Sequence, residues 1–259
     1  MRAIVLSREV YREADARVVL FTAEKGKIIA QARGLYKSQS KLSASVSPGA
    51  LVEVDVVAAG DMFLLIHADI VDMHVGLWQS AEKLFLTQVF LRVLNEVLPI
   101  AGREGSVFRL SERFLHSLSS QELLHSCFLE SGIFSVLGDM GYALQASACL
   151  YCSISVESLL REGSQRQCFV LPSLGGFLCA SCAALSEDNF PRVTVLPADF
   201  FVLRMLVRND WSDFRDIRIS VDTVERMARI AQLFLEIVTE KKSVSWKNQL
   251  HLLEEVSAI

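Results

Sequence analysis

Apolar and polar residues alternate along the first 72 residues, in the way that is typical of half-buried β-strands. In residues 51–57, for instance, valines alternate with Glu53 and Asp55, so that one face is apolar and the other is charged. Turn signals at 24–26 and 59–61 separate neighbouring runs. The pattern predicts five strands, over residues 3–6, 16–22, 26–32, 51–57 and 63–70.

These five strands occupy a short stretch of chain, with a longer connection only after the third. This arrangement predicts a small closed barrel of the OB type, and an SH3-like barrel is the alternative. The connection, residues 33–45, is polar, basic and rich in serine, which predicts a mobile loop or a short helix.

After residue 76 the apolar period changes from two to 3.6, which indicates helices. The predicted helices are one that stops near Pro99, then 105–118, 120–140, one that opens at 197–199, 220–241 and a short one in the tail, 245–257. The chain is therefore expected to be an α+β multidomain protein. It combines a five-stranded OB-fold barrel domain at 1–76 with an α-helical domain at 77–259, into which a zinc-ribbon-like cysteine module, residues 146–186, is inserted.

The cysteine module contains two CxxC pairs separated by 26 residues, formed by Cys149, Cys152, Cys179 and Cys182. Each pair can present two thiolates to one tetrahedral metal ion. A strand-like run at 167–171, a Gly-rich turn and a short return strand predict a hairpin between the pairs. Two disulfides, a redox CxxC motif and an iron–sulfur cluster are the alternatives to zinc. We expect one structural zinc per chain, because four cysteines leave no coordination position open.

The remaining two cysteines, Cys127 and Cys168, lie outside the pairs and are expected to be small buried apolar residues. Six cysteines with four in metal-type pairs fit a reducing cytoplasm. The N-terminus shows no secretory signal pattern. A membrane-spanning helix needs about 18 apolar residues, and no apolar run approaches this length.

The net charge of the 259-residue chain is only −4, but its cations are unevenly distributed. Residues 25–41 carry five cations and no acidic residue. A positive groove with an exposed aromatic residue is the means by which OB barrels bind single strands. Tyr36 is the first candidate for base stacking and Tyr11 a weaker one. The alternatives are an ordinary solvated surface and a loop-anchoring tyrosine. The predicted DNA-binding residues are Lys25, Lys27, Arg33, Tyr36, Lys37 and Lys41.

No catalytic constellation is evident in the sequence. It contains no GxxxxGK[ST] phosphate loop, no GxSxG elbow and no HExxH motif. We also expect that none of the five histidines forms a close pair with an acidic residue. We therefore expect a binding protein and not an enzyme.

Two stretches of the sequence resemble the RecO family of bacterial recombination mediators. The N-terminal stretch comprises Arg12-Glu-Ala-Asp15, Leu20-Phe-Thr22, Gly26, Ala32-Arg-Gly34, Lys37-Ser38 and Ser40-Lys-Leu42. The second comprises Leu137 to Tyr142, Cys149-Leu-Tyr-Cys152 and Gly175-Gly-Phe-Leu-Cys-Ala-Ser-Cys182. The resemblance covers residues 1–185 well. One departure is Ser153, which stands where the family usually has a glycine, a position at which a positive φ would cost serine about 1 kcal/mol.

The resemblance implies a function in DNA repair and homologous recombination. A protein of this family would bind single- and double-stranded DNA, anneal complementary strands and, with RecR and RecF, load RecA onto DNA coated by single-strand-binding protein. It would be cytoplasmic and associated with the nucleoid. The alternative is a zinc-ribbon protein-interaction module of a transcription or translation accessory factor; a zinc-dependent hydrolase is disfavoured by the four-cysteine ligand set.

Overall fold

The computed structural model describes residues 1–102, 104–121, 124–162, 167–187, 189–208 and 217–241. The predicted tail helix at 245–257 lies outside the described residues. The chain separates into two compact units, Met1–Glu122 and Leu123–Ile259. The boundary at 76/77 marks the change from strands to helices, and as a domain boundary it stays a prediction.

The first unit begins with a closed five-stranded barrel, as the strand pattern predicts. The strands are β1 Arg2–Val10, β2 Ala16–Thr22, β3 Gly26–Ala32, β4 Leu51–Ala59 and β5 Met62–Asp72, in the order β1-β2-β3-β5-β4. All neighbouring strands are antiparallel except β3 and β5, where Ala30 lies opposite Phe63 in a parallel pair. This arrangement confirms the OB-like barrel. β1 is longer than predicted because it pairs with β4 at its start and with β2 through its end, across a bulge after Val5.

Alternating apolar residues of these strands fill the barrel interior. Val18, Leu20, Ile28, Val52 and Val54 are almost completely buried and belong to one core cluster. Their burial explains the period of two in the sequence pattern, because alternate residues of a strand face the barrel interior. Ile4 and Phe21, on the other faces of β1 and β2, are buried as well.

The predicted connection after β3 forms a loop of turns and bends between residues 33 and 45, so the short helix was wrong and the mobility of the loop stays a prediction. Leu35 and Val46 enter the barrel core at its two ends. Burial of these two side chains holds the connection against the barrel, which a purely polar loop could not achieve.

A short 3-10 helix, Val75–Trp78, and two α-helices, α1 Ala81–Val97 and α2 Gly105–Ser120, complete the first unit. Ser80 caps α1 by accepting a hydrogen bond from the Lys83 N–H at 3.1 Å. The buried faces of α1 and α2 carry Phe90 and Phe114, whose rings stack with centroids 4.0 Å apart.

The second unit contains the rest of the secondary structure. Its elements are α3 Phe128–Asp139, α4 Val156–Glu162, β6 Cys168–Leu171, β7 Gly176–Cys179, α5 Ala180–Leu185, β8 Val193–Val195, α6 Asp199–Val207 and α7 Val221–Thr239. The strands form a sheet in the order β7-β6-β8, and α3 contacts α6 and α7. Every residue of α3 from Phe128 to Leu137 is buried, so this helix forms the centre of the unit.

The predicted third helix was wrong at its start, because α3 begins at Phe128 and not near residue 120. Gln121 has an extended backbone (φ −80°, ψ 133°), which ends α2. Among the helices that the structure describes, none combines the length and the apolar composition needed to cross a membrane.

Candidate metal centre and nucleic-acid interface

The first pair of cysteines lies on a tight turn that precedes α4. The Ser153 N–H donates to the carbonyl of Cys149 at 3.0 Å, which closes the turn. Ser153 has φ 57°, so it occupies the left-handed region that the sequence comparison with the family's glycine predicts. The backbone thus tolerates a strained serine here to keep the two thiols on one side of the turn.

The second pair lies where β7 leads into α5, and the predicted hairpin joins the two pairs. β6 and β7 are antiparallel, with Cys168 opposite Cys179. Gly176 is required by close approach, because a Cβ at this position would lie 2.7 Å from the Leu150 side chain. Leu150 also donates its N–H to the Phe177 carbonyl at 2.9 Å, and these contacts bring the first turn against the hairpin.

The four sulfur atoms of Cys149, Cys152, Cys179 and Cys182 all lie within 4.8 Å of one another. The Sγ atoms of Cys152 and Cys179 are 3.7 Å apart. Two sulfurs on a tetrahedral zinc with bonds of about 2.3 Å would be separated by about 3.8 Å. The cysteines therefore fit a tetrahedral metal ion, and the structure confirms that this cluster could hold one.

The surroundings of the cluster favour the thiolate at Cys149 and the neutral thiol at Cys179 and Cys182. Burial alone would raise the pKa of the Cys149 thiol, but hydrogen bonds from the backbone N–H groups of Cys152, Cys179 and Tyr151 lower it to about 7. The Cys179 N–H lies 3.4 Å from the Cys149 sulfur. Burial and the neighbouring sulfurs raise the pKa of Cys182 to about 12. Four sulfurs at these distances would repel one another as thiolates unless a cation neutralised them.

Cys127 and Cys168 are both completely buried, as predicted. Burial is the main cause that raises the pKa of Cys168 to about 11, and the nearby sulfurs of Cys179 and Cys149 add to it. Cys168 therefore stays a neutral thiol behind the cluster.

In the first unit, Asp15 organises the segment that carries most of the predicted DNA-binding residues, residues 33–42, here called the basic loop. One carboxylate oxygen accepts a hydrogen bond from the Gly34 N–H at 2.8 Å, and the other accepts one from the Gln31 side chain at 2.7 Å. These two hydrogen bonds, of which the one from Gly34 has the larger effect, hold the pKa of the Asp15 carboxyl below its usual value. Gly34 itself has φ 65°, a conformation that suits glycine.

The basic loop encloses a surface pocket of about 460 Å³. Arg33, Lys37 and Lys41 line this pocket together with Asp15 and Ser40. All three cations are exposed. The structure therefore brings three of the five predicted cations together around one concave surface.

Lys25 and Lys27 lie elsewhere on the barrel. Lys25 and Arg33 are at opposite ends of β3, about 26 Å apart along an extended strand. The Lys25 ammonium lies 5.0 Å from the centre of the Phe63 ring. The Lys27 ammonium is half-buried and donates to the Asn95 carbonyl near the end of α1, at 2.6 Å. Its position there suits the negative end of the helix dipole.

Tyr36 is 44% exposed, whereas its neighbour Leu35 is 1% exposed. The Tyr36 N–H donates to the Ala14 carbonyl at 3.0 Å. Leu35 therefore anchors the basic loop in the core, and the ring of Tyr36 remains accessible. Tyr11 is half-buried, with the Arg12 guanidinium 5.3 Å from its ring centre.

Sequence reasoning missed two features of the first unit. Asp15 belongs to the quoted family pattern, but its two hydrogen bonds to the basic loop depend on strand pairing. The prediction that no histidine forms a close pair with an acidic residue was wrong. His67 lies 3.0 Å from Asp69, and Asp72 lies between His74 and His116. The separation of two residues between histidine and aspartate at 67/69 and 72/74 was the available signal.

Comparisons with known families agree with this architecture. The family model described as "Recombination protein O N terminal" matches residues 1–74. The model described as "Recombination protein O C terminal" matches residues 79–247.

Curated proteins named "DNA repair protein RecO" are similar to most of the chain. The protein of Geobacter metallireducens is 26% identical over 196 residues, which are 75% of this chain and 76% of that protein. The protein of Acetivibrio thermocellus is 22% identical over 238 residues, or 92% and 90% of the two chains. The protein of Nocardioides sp. is 26% identical over 213 residues, or 81% and 82%. Because the C-terminal family model alone covers more than half of the sequence, the chain belongs to the RecO family of DNA repair and recombination proteins.

Proposed function

We propose that this protein is a non-enzymatic recombination mediator that binds single- and double-stranded DNA and anneals complementary strands. The observation that carries the proposal is the basic loop, where Arg33, Lys37 and Lys41 line one pocket on an OB-like barrel. Family membership adds the context of DNA repair. Localisation in the cytoplasm, at the nucleoid, follows from this role.

The basic loop would bind the phosphate backbone of DNA. Three exposed cations around a concave surface match the charge of successive phosphates, and binding them releases counterions. The exposed Tyr36 ring beside them could accept an unpaired base by stacking. Lys25 and Lys27 would contribute less, because they lie away from the pocket and the Lys27 ammonium already donates to a protein carbonyl.

The cysteine module would hold one zinc ion through Cys149, Cys152, Cys179 and Cys182. Zinc bound by four thiolates supplies folding free energy and no reactive position. Its role here would be to fix the first turn, the hairpin and α5 to one another.

The partners we propose are RecR, together with RecF, RecA and the single-strand-binding protein. In this scheme the protein neutralises phosphate charge, so that two strands repel each other less and meet at a higher local concentration. No bond is made or broken, and no nucleotide is consumed.

The first test is the salt dependence of single-stranded oligonucleotide binding by the Lys37→Ala, Lys41→Ala double variant. For every phosphate that the protein no longer neutralises, the slope of log K against log salt should fall by about 0.7, so the slope of the double variant should be lower by about 1.4. The matched control is Arg2→Ala, Arg92→Ala. It removes two positive charges from the same unit. Because these two cations pair with Glu112 and Glu96, the slope of this control should equal that of the wild type. An equal slope for the wild type and the lysine double variant would place the DNA site outside the basic loop.

The second test is strand annealing with two complementary labelled oligonucleotides, with and without ATP. The wild type should accelerate annealing equally in both cases, and the lysine double variant should accelerate it less. A requirement for ATP, or cleavage products on a denaturing gel, would show that the protein is catalytic.

A further inference from the structure

A second group of metal-ligating side chains lies in the first unit. It consists of Asp72 at the end of β5, His74 two residues later and His116 on α2. One ligand atom from each residue lies within 4.8 Å of the others. Among the described residues, this is the one such group besides the four cysteines.

The distances within this group are too long for direct hydrogen bonds. His74 Nε2 lies 3.6 Å and His116 Nδ1 lies 3.7 Å from the same oxygen of Asp72, Oδ2. A hydrogen bond to this oxygen would need about 2.7–3.2 Å. Two ligands on a tetrahedral ion with bonds of about 2.0–2.1 Å are separated by about 3.3 Å, so a small contraction would bring all three onto one ion.

The surrounding hydrogen bonds orient two of the three ligands. His74 Nδ1 lies 2.8 Å from the Gly49 carbonyl, which can only accept, so Nδ1 carries the proton and Nε2 presents its lone pair. The other oxygen of Asp72 accepts the His74 backbone N–H at 2.7 Å, which leaves Oδ2 facing the imidazoles. A histidine that donates to a carbonyl and a carboxylate fixed by a second bond are what protein metal sites use to position ligands.

The group also combines a rigid part with an accessible one. The side chain of His74 is 1% exposed, and that of His116 is 68% exposed. His74 has φ 47°, a conformation that its backbone bond to Asp72 holds in place. An ion could therefore enter from the solvent side, where His116 lies, without opening the core.

We propose that Asp72, His74 and His116 form a binding site for a divalent first-row transition-metal ion such as zinc. Two imidazoles and one carboxylate are ligands that suit these ions. Three protein ligands leave a fourth tetrahedral position for water or for a donor atom from another molecule. The ion would join the end of the barrel to α2. This site is separate from the cysteine module, which lies in the other unit.

The experiment is equilibrium dialysis of the full-length protein against micromolar zinc, followed by elemental analysis. The wild type should bind two zinc ions per chain. His116→Ala removes an exposed ligand without disturbing the core and should bind one. The matched control is His67→Ala, which removes another exposed histidine of the same unit and should still bind two. Asp72→Asn is a second variant that should also bind one.

Cobalt substitution distinguishes this site from the cysteine cluster. The thiolate-to-cobalt charge-transfer absorption should be the same in the wild type and in His116→Ala, because it reports only the cysteines. The proposal is overturned if the wild type binds one metal ion and the cobalt form shows the thiolate absorption, because that ion then lies in the cysteine cluster. It is also overturned if His116→Ala, with an unchanged thermal melting curve, binds as many ions as the wild type.

Discussion

The basic loop and the cysteine module both depend on hydrogen bonds from backbone N–H groups, but they place their functional side chains in opposite ways. In the basic loop, Asp15 and the buried Leu35 hold the backbone, and the cations are exposed. In the cysteine module, the functional thiols are the centre of the segment, and Cys149 and Cys179 are themselves buried.

Because of this difference, substitutions in the basic loop should affect DNA binding, and substitutions in the cysteine module should affect folding. A cation of the basic loop is expected to be removable at little cost to stability, because Arg33, Lys37 and Lys41 are exposed. A thiol of the cysteine module is expected to matter for stability, because Cys149 and Cys179 are buried where the turn meets the hairpin.

The largest expected effect is that of Cys152→Ser. Loss of one ligand should remove the zinc of the cysteine module. It should also destabilise the second unit by several kcal/mol, since zinc binding contributes on the order of 10 kcal/mol to such modules. Elemental analysis of the purified protein and chemical denaturation measure the two effects. Cys127→Ala, a buried cysteine outside the module, is the control and should retain the zinc. Equal zinc contents in the Cys152→Ser variant and the wild type would contradict the zinc assignment.

A smaller effect is expected for Arg226→Ala, which tests whether the second unit also depends on a buried ion pair. Asp199 is 3% exposed, and the Arg226 guanidinium lies 2.8 Å from one of its oxygens. Removal of the arginine leaves a buried carboxylate whose remaining donors, among the residues that the structure describes, are the Thr223 hydroxyl and the Leu196 N–H. We expect a loss of about 2–3 kcal/mol in the free energy of unfolding.

The control for this variant is Arg204→Ala. Arg204 pairs with Glu157 at a more exposed position, where an ion pair contributes less than about 1 kcal/mol. If both variants unfolded at the same denaturant concentration, burial of the Asp199 pair would not matter for stability.

For the basic loop, Tyr36→Ala should weaken binding of single-stranded DNA by about 1 kcal/mol, or about fivefold, because stacking on one base is removed. Tyr36→Phe keeps the ring and should bind like the wild type. Fluorescence anisotropy with a labelled oligonucleotide measures both affinities, and denaturation curves of the two variants should match that of the wild type. A similar loss in both variants would indicate that the hydroxyl, and not the ring, contacts DNA.

The smallest effect is expected from the ionisation of Asp15. Because its pKa in the folded protein lies below its usual value of 3.8, its hydrogen bonds to the basic loop are complete above that pH. They should be lost as the pH falls through the lowered pKa of the folded state. The Gly34 amide signal in an NMR titration should therefore shift in this acidic range. Asp15→Asn should abolish the shift and weaken DNA binding by a few-fold, whereas a persisting shift would assign it to another group.

The sequence predicted the features that depend on local order. β2 and β3 have the bounds that the sequence pattern indicates, because alternate residues of each strand face the barrel interior and turn residues separate the two strands. The spacing of Cys149, Cys152, Cys179 and Cys182 predicted the cluster for a similar reason, because each CxxC turn places its own two thiols. The left-handed backbone at Ser153 also followed from a local comparison with the family's glycine.

Only the tertiary structure decided which of the distant side chains meet. The five cations from Lys25 to Lys41 are close together in sequence. The extended strand β3 nevertheless separates Lys25 from Arg33, because the two residues flank its opposite ends. The backbone of the basic loop is set by Asp15, which strand pairing brings to Gly34. Asp72 and His116 are 44 positions apart in sequence, and only the packing of α2 in the first unit brings them together. Local periodicity states which face of a segment is buried, but it contains no information about which other segment covers that face.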